Sequence, residues 1–375
     1  MSWAIWITGL PGSGKSAIAR GAAEMLEGEG ESLRVLELDE IRKTLTPHPT
    51  YSDAERDVVY RALAGMAAIL TEVGVPVIID ATAPRRRWRD LARAMIPRFA
   101  EVQLLCPIEI CRERERTRQP DHAPQGIYAH AGEPGATVPG VDVPYEVSLR
   151  PELAIDTSKE PLAAAGASVA ALARSLSSTR RDGPNRSDDG WAVWITGRPG
   201  SGKTTLAAHL VEALAAHGIP VKVISLSTVR RFLLDEHPIA DSQQEIVHRT
   251  LVCLAKLLTE VGVAVIVDAT APRRGWRESA REQIPRFAEV QLVCPAEICV
   301  ERERAARWSL GAERHHVGAE QHGAAGPDIE MDYEESFRPE LVIHTNVHDP
   351  WSAVERALFL VYRLRRPATG RITPS

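Results

Sequence analysis

A lysine and a hydroxyl residue close a glycine-rich run twice in this chain. The first run is Gly9-Leu-Pro-Gly-Ser-Gly-Lys15-Ser16, and 188 residues later Gly197-Arg-Pro-Gly-Ser-Gly-Lys203-Thr204 repeats it. Both fit G-x-x-x-x-G-K-[ST], each after an apolar strand and before an Ala- and Leu-rich helical stretch, the context in which this motif cradles phosphates. In the first, Gly9, Pro11, Gly12, Ser13 and Gly14 would turn backbone N–H groups toward phosphate, and the following helix would add its positive end. Lys15 would reach the outer phosphates and Ser16 would help hold Mg²⁺. Gly197, Gly200, Ser201, Gly202, Lys203 and Thr204 carry the same expectation, so ATP with Mg²⁺ is the implied ligand pair.

Carboxylates follow at useful places. Asp39 reads as the end of a strand whose tip lies beside the loop, where open parallel sheets place ligands. It could orient Mg²⁺ or take a proton from an attacking hydroxyl; alternatively it caps a helix starting at Asp39-Glu40-Ile41-Arg42. Asp80 and Asp268 each end a β-branched run and are candidate second metal carboxylates, or else acidic caps on the next turn. Arg85, Arg86 and Arg89, with Arg273, Arg274 and Arg277 in the second copy, suit transition-state charge or an anionic acceptor, or form a solvated helix surface. Arg112, Arg114, Arg116 and Arg118 alternate with glutamates; one could close over ATP, but a salt-bridged exposed face is the plainer expectation. His315 and His316 lack metal-site partners at useful spacing, and the pairs Cys106/Cys111 and Cys294/Cys299 read as buried packing.

The elements that must position these groups recur without a gap. Residues 70–75 return unchanged at 258–263, 80–86 at 268–274 and 96–104 at 284–292. Each copy is thus long enough for its own hydrophobic core. The expected layout is a domain over residues 1–176, a polar linker over 177–190, a second domain over 191–366 and a tail over 367–375. In the first copy, strands are expected at 3–8, 33–38, 75–79, 102–105 and 153–155, and helices at 17–26, 53–71, 107–118 and 163–176. Continuous apolar strands between helices predict two three-layer α/β/α domains, each with a mostly parallel central sheet. Residues 119–149 lose this periodicity, turn rich in Pro, Gly and His, and read as a lid or substrate loop.

At Asp39-x-x-Arg42, Tyr51-Ser52-x-x-x-Arg56, Gly126-Ile127-Tyr128 and Gly140-Val-Asp142-x-Pro-Tyr-Glu146, the first copy resembles adenylylsulfate kinase. That resemblance spans about residues 3–176 and implies transfer of the ATP terminal phosphate to the 3′-hydroxyl of adenosine 5′-phosphosulfate. It further implies that Lys15, Asp39, Arg42 and Arg56 are catalytic, and that Arg42 and Arg56 grip the acceptor. Ile127, Tyr128 and Asp142 would line the lid over its adenine. Ser16, Asp39, Asp80, Thr204 and Asp268 make up the metal set. The chain departs from the family pattern at Glu55, Val59, Gln125 and Val138, where the family has an aspartate, an asparagine, a lysine and an acceptor-stacking phenylalanine.

The second copy keeps its loop, Asp268 and Arg230, yet Asp39 becomes Ser227, Arg56 becomes Gln244 and Tyr128 becomes His316; Asp328 and Glu330 stand for Gly140 and Asp142. It is expected to bind a nucleotide and to catalyse poorly, or to serve another acceptor. A kinase for a different small hydroxyl compound and a nucleotide-dependent regulatory protein are the competing readings. Neither copy carries an N-K-x-D-type reader of guanine. The net charge of −5 argues against general nucleic-acid binding. No leader or membrane span is expected, which points to a cytoplasmic protein. The two copies would pack as an internal pseudo-dimer, form a homodimer, or remain loosely joined.

Overall fold

The computed structural model describes residues 1–117, 126–133, 135–177, 190–233, 241–314 and 332–365. The chain forms two compact units, one for each copy of the repeat. The expected linker lies mostly, and the tail wholly, outside the described residues, as do His315, His316, Asp328 and Glu330.

Unit one runs β1 (Ala4–Thr8), α1 (Lys15–Gly28), β2 (Arg34–Glu37), α2 (Leu38–Leu45), α3 (Asp53–Glu72), β3 (Val77–Asp80), α4 (Arg86–Met95), β4 (Phe99–Leu105), α5 (Ile108–Thr117), β5 (Leu153–Asp156) and α6 (Leu162–Leu176). Its five strands are parallel in the order β2-β3-β1-β4-β5. β1 and β3 are buried along their whole length, because helices cover both faces of a parallel sheet. Ile5, Ile7, Ile78 and Val102 pack against Ile18, Ala22 and Val169 from α1 and α6 to make the core of one layer.

Two sequence expectations need correction. β2 stops at Glu37, so Asp39 does not end a strand but sits in the first turn of α2. β4 begins at Phe99, and its alternating Glu101 and Gln103 are buried polar residues in a strand interior. Those two side chains broke the apolar pattern and hid the start of the strand.

Unit two repeats the plan: β6 (Ala192–Gly197), α7 (Lys203–Ala216), β7 (Lys222–Ser225), α8 (Leu226–Leu233), α9 (Asp241–Glu260), β8 (Val265–Asp268), α10 (Arg274–Gln283), β9 (Phe287–Val293), α11 (Ala296–Arg314), β10 (Leu341–His344) and α12 (Pro350–Arg365). Its parallel sheet has the matching order β7-β8-β6-β9-β10. Among the described residues no helix is long and apolar enough to cross a membrane.

Candidate active site

β1 is the central strand, flanked by β3 and β4, so its carboxyl end opens at the crevice where such sheets bind ligands. The glycine-rich loop leaves from there. Gly12 has φ +77°, and a Cβ on it would come within 2.3 Å of the Cys111 carbonyl oxygen; Gly200 repeats this against Cys299. Only glycine lets α5 and α11 brace the loop from behind. Thr157 Oγ1 donates to the Ser13 carbonyl at 2.9 Å and fixes the other side. α1 starts after Gly14 with no side-chain cap, so its first N–H groups remain available to an anion. Lys15 Nζ donates to the Leu10 carbonyl at 3.0 Å, across the mouth of the loop.

Strand register sets the carboxylates. Asp80 pairs with Ile7 across β1–β3, which brings it beside the loop, and it is 7% exposed. A cavity of about 960 Å³ opens here, lined by Lys15, Ser16, Asp39, Asp80, Arg42 and Arg56, among others. That volume is at the upper end for small-molecule sites and leaves room for more than one ligand. One hydroxyl and two carboxylates in this lining form an all-oxygen donor set, the chemistry that suits Mg²⁺ bound together with phosphates and waters. It is no closed cage, since the described residues contain no cluster of three His, Cys, Asp or Glu side chains able to hold a metal alone.

Two buried arginines share this lining. Ser52 caps α3 by accepting from the Glu55 amide, and Glu55 folds back to accept from Thr50 N at 2.7 Å and Tyr51 N at 3.3 Å. The same carboxylate takes Arg42 Nη1 at 3.1 Å, and the Arg42 guanidinium stands 5.3 Å from the Tyr51 ring centroid. Burial pushes the Glu55 carboxyl up, but the Thr50 amide and hydroxyl and the Arg42 charge outweigh it and hold it below the usual value. Arg56, one residue on, donates to the Thr137 carbonyl at 2.8 Å and its hydroxyl at 2.6 Å, tying α3 to the segment over the cavity. Burial presses the Arg56 guanidinium below its ordinary value, and the nearby Arg42 charge adds to this.

Ile127 and Val138 also line the cavity. Tyr128 and Asp142 do otherwise. The Tyr128 hydroxyl donates to the Pro11 carbonyl at 2.9 Å, so this ring braces the glycine-rich loop and does not line the cavity. Asp142 accepts from the Gly132 and Val138 amides, each at 2.8 Å, and knits the lid segment to itself. Neither had a local signal of this, because the partners are backbone groups brought together by the turns of the loop.

Of the arginines after Asp80, Arg85 and Arg86 fit the helix-surface alternative, and the buried Arg89 fits neither reading. Arg85 pairs with Asp53, Arg86 with Glu146 and Arg87 with Asp57. Arg89 is 1% exposed; its guanidinium donates to the Ala83 and Glu146 carbonyls, and Nε lies 2.7 Å from Glu101 without the alignment of a hydrogen bond. Ala83 has φ +39°, unusual for a side-chain-bearing residue, and Arg89 with the Tyr60 hydroxyl holds it there. Unit two reproduces this anchor through Arg277, Glu289, Ala271 and Glu334. In α5, Arg116 pairs with the exposed Glu113, whereas Arg114 donates to the Thr157 carbonyl at 2.7 Å and lines the cavity. The cysteines form no disulfide, and burial pushes the Cys299 thiol up to about 11, which leaves it inert.

In unit two Lys203 Nζ donates to the Gly197 and Arg198 carbonyls at 3.1 and 2.9 Å, and Thr204 Oγ1 donates to Asp268 at 2.7 Å. Ser227, in the Asp39 position, hydrogen-bonds Ser225 at 2.8 Å. Gln244 replaces Arg56 in a buried position, and His248 stacks on Trp276 where Tyr60 stacks on Trp88.

The family model for adenylylsulphate kinase matches residues 1–156 and again 189–344. A probable adenylyl-sulfate kinase of Archaeoglobus fulgidus is 36% identical over 162 residues, 42% of this chain and 98% of the relative. The adenylyl-sulfate kinase of Rippkaea orientalis is 37% identical over 160 residues, covering 42% of this chain and 83% of its own. Among solved structures, the Mycobacterium tuberculosis APS kinase in complex with AMPPNP and APS is 30% identical, with a TM-score of 0.42 over 46% of this chain and 98% of that one. Each match spans one repeat and most or all of the relative.

Proposed function

The chain belongs to the adenylylsulphate kinase family and carries two copies of its domain, and on that premise we propose that unit one is the working copy and that its acceptor is the 3′-hydroxyl of adenosine 5′-phosphosulfate. The broader class is that of an ATP-dependent phosphotransferase with an alcohol-group acceptor. The observation that carries the proposal is the convergence of Lys15, Asp39, Asp80, Arg42 and Arg56 on one cavity. Two guanidinium groups suit a phosphosulfate, since their planar forks match its oxygens.

The glycine-rich loop holds the donor phosphates, and Lys15 neutralises charge on the equatorial oxygens of the transferring group. Ser16, Asp39 and Asp80 would hold Mg²⁺, which would supply further charge neutralisation when bound. Arg42 and Arg56 set the acceptor so that its hydroxyl faces the terminal phosphorus in line, and Asp39 receives the hydroxyl proton. The Arg56–Thr137 tether draws the lid segment over the cavity and excludes water, the competing acceptor.

Unit two supports a second role. With Ser227 and Gln244 it has neither the carboxylate nor the second arginine, yet its loop, Thr204 and Asp268 are intact. It binds a nucleotide without efficient transfer. A coupled ADP-release assay over adenosine 5′-phosphosulfate and a panel of hydroxyl compounds tests the acceptor. Acceleration by the phosphosulfate is the expected result. Acceleration only by another compound reassigns the acceptor, and tight ATP binding with no acceptor effect would make the protein a nucleotide-dependent regulator.

A further inference from the structure

The exposed face of α12 is unlike that of its counterpart α6. Trp351 is 67% exposed, Phe359 65% and Tyr362 37%, and the spacing of four, four and three through Trp351, Glu355, Phe359 and Tyr362 puts them on one helix face. At the matching positions unit one has Ala163, Ala167, Ala171 and Arg174. Three large rings have thus replaced two alanines and an arginine on a surface that faces solvent, which their burial elsewhere in the core cannot explain. The rings are held in place: Trp351 lies 5.7 Å from the ring of His209 on α7 and Tyr362 6.0 Å from the ring of His217, which caps the end of that helix. Beside Phe359 a groove of about 320 Å³ runs between α12 and the edge strand β10, walled by Leu341, Leu360, Glu355 and Arg363.

We propose that this face binds the same face of a second copy of the chain, α12 against α12 antiparallel about a twofold axis at Phe359. The charges select this occupant. Glu355 precedes Phe359 by four residues and Arg363 follows it by four, so in an antiparallel pair each Glu355 meets the partner's Arg363, which gives two such pairs, one on each side of the axis. Arg356 and Tyr362 stand three residues to either side, which sets the guanidinium of one copy against the ring of the other. Arg356 Nη2 donates to the Val342 carbonyl at 3.1 Å, which fixes it at the rim of the groove. Phe359 meets its own symmetry mate, and the groove receives the ring. Unit one cannot form this pair, because its face carries Ala167 and Ser175 in place of the glutamate and arginine.

Sedimentation of the full chain over a dilution series tests the proposal, with Glu355→Arg, Arg363→Glu and the double reversal as variants. These side chains are on the surface, and an unchanged melting midpoint checks that each variant is folded. The wild-type chain is expected to dimerise, each single reversal to raise the dimer dissociation constant about tenfold or more by setting like charges together, and the double reversal to recover most of the loss. A wild-type chain that stays monomeric, including one whose residues 366–375 cover the face instead, overturns the proposal. So does a dimer that the single reversals leave unmoved, or a double reversal as weak as the singles.

Discussion

Unit one and unit two differ least in the contacts that hold each fold in shape and most where an acceptor would lie. The buried Arg89–Glu101 anchor returns as Arg277–Glu289, and the Tyr145 hydroxyl on Thr8 returns as Tyr333 on Thr196. Glu146 accepts from the first amide of α4 at 2.8 Å, and Glu334 does the same for α10. Around the cavity, Asp39 and Arg56 are gone from unit two. The duplicated scaffold is therefore no sign of duplicated chemistry. A buried ion pair cannot lose one partner without a large penalty, whereas a cavity-lining side chain can be exchanged at little cost to the fold.

The comparison breaks most visibly at Asp39. Converting it to serine, the residue of unit two, should lower kcat by about 10²–10⁴, read by ADP release with adenosine 5′-phosphosulfate. The reverse change, Ser227→Asp, should restore no turnover to unit two, since Gln244 still stands for Arg56. Next in size, Arg89→Met and Arg277→Met should each cost about 3–5 kcal/mol in the unfolding of the affected unit, because each leaves a buried glutamate without its main partner. Urea unfolding followed for each unit checks this; a loss in only one would mean that the anchors are not equivalent.

Much of this division was legible in the sequence. The two glycine-rich loops, the parallel strands and Asp80 follow from local patterns that need no distant partner. Asp39 was expected beside the loop and does line the cavity, but its strand-end placement was wrong, because apolar Leu38 extended the strand pattern beyond Glu37. Arg89 was misread for a physical reason: Glu101, Ala83 and Glu146 converge on it from three parts of the chain, and no spacing in the sequence announces that. Tyr128 and Asp142 stand out by residue type, yet their partners are backbone groups of folded loops, so their bracing role appeared only in three dimensions.

Smaller effects sharpen the comparison. Arg56→Gln, the unit-two residue, should raise the acceptor KM about tenfold through loss of its charged contact with the acceptor and of its tether to Thr137, with the ATP KM little changed. Smallest is a pH effect at Glu55, whose carboxyl lies below the usual glutamate value despite burial that pushes it up, owing to Thr50 and Arg42. A lowered folded value stabilises the fold above the unfolded pKa, and that contribution is lost as pH falls through the folded one. The stability gap between wild type and Glu55→Gln should therefore close in acid and stay constant toward neutral pH, as thermal unfolding across that range would read.

The central claim is that one of two intact phosphate loops does the transfer. ADP release with adenosine 5′-phosphosulfate on the full chain, for Lys15→Ala beside Lys203→Ala, tests it most directly. The account predicts a fall of about 10²–10³ or more for Lys15→Ala and turnover near wild type for Lys203→Ala. Turnover that survives Lys15→Ala and collapses with Lys203→Ala would contradict it and move the chemistry to unit two.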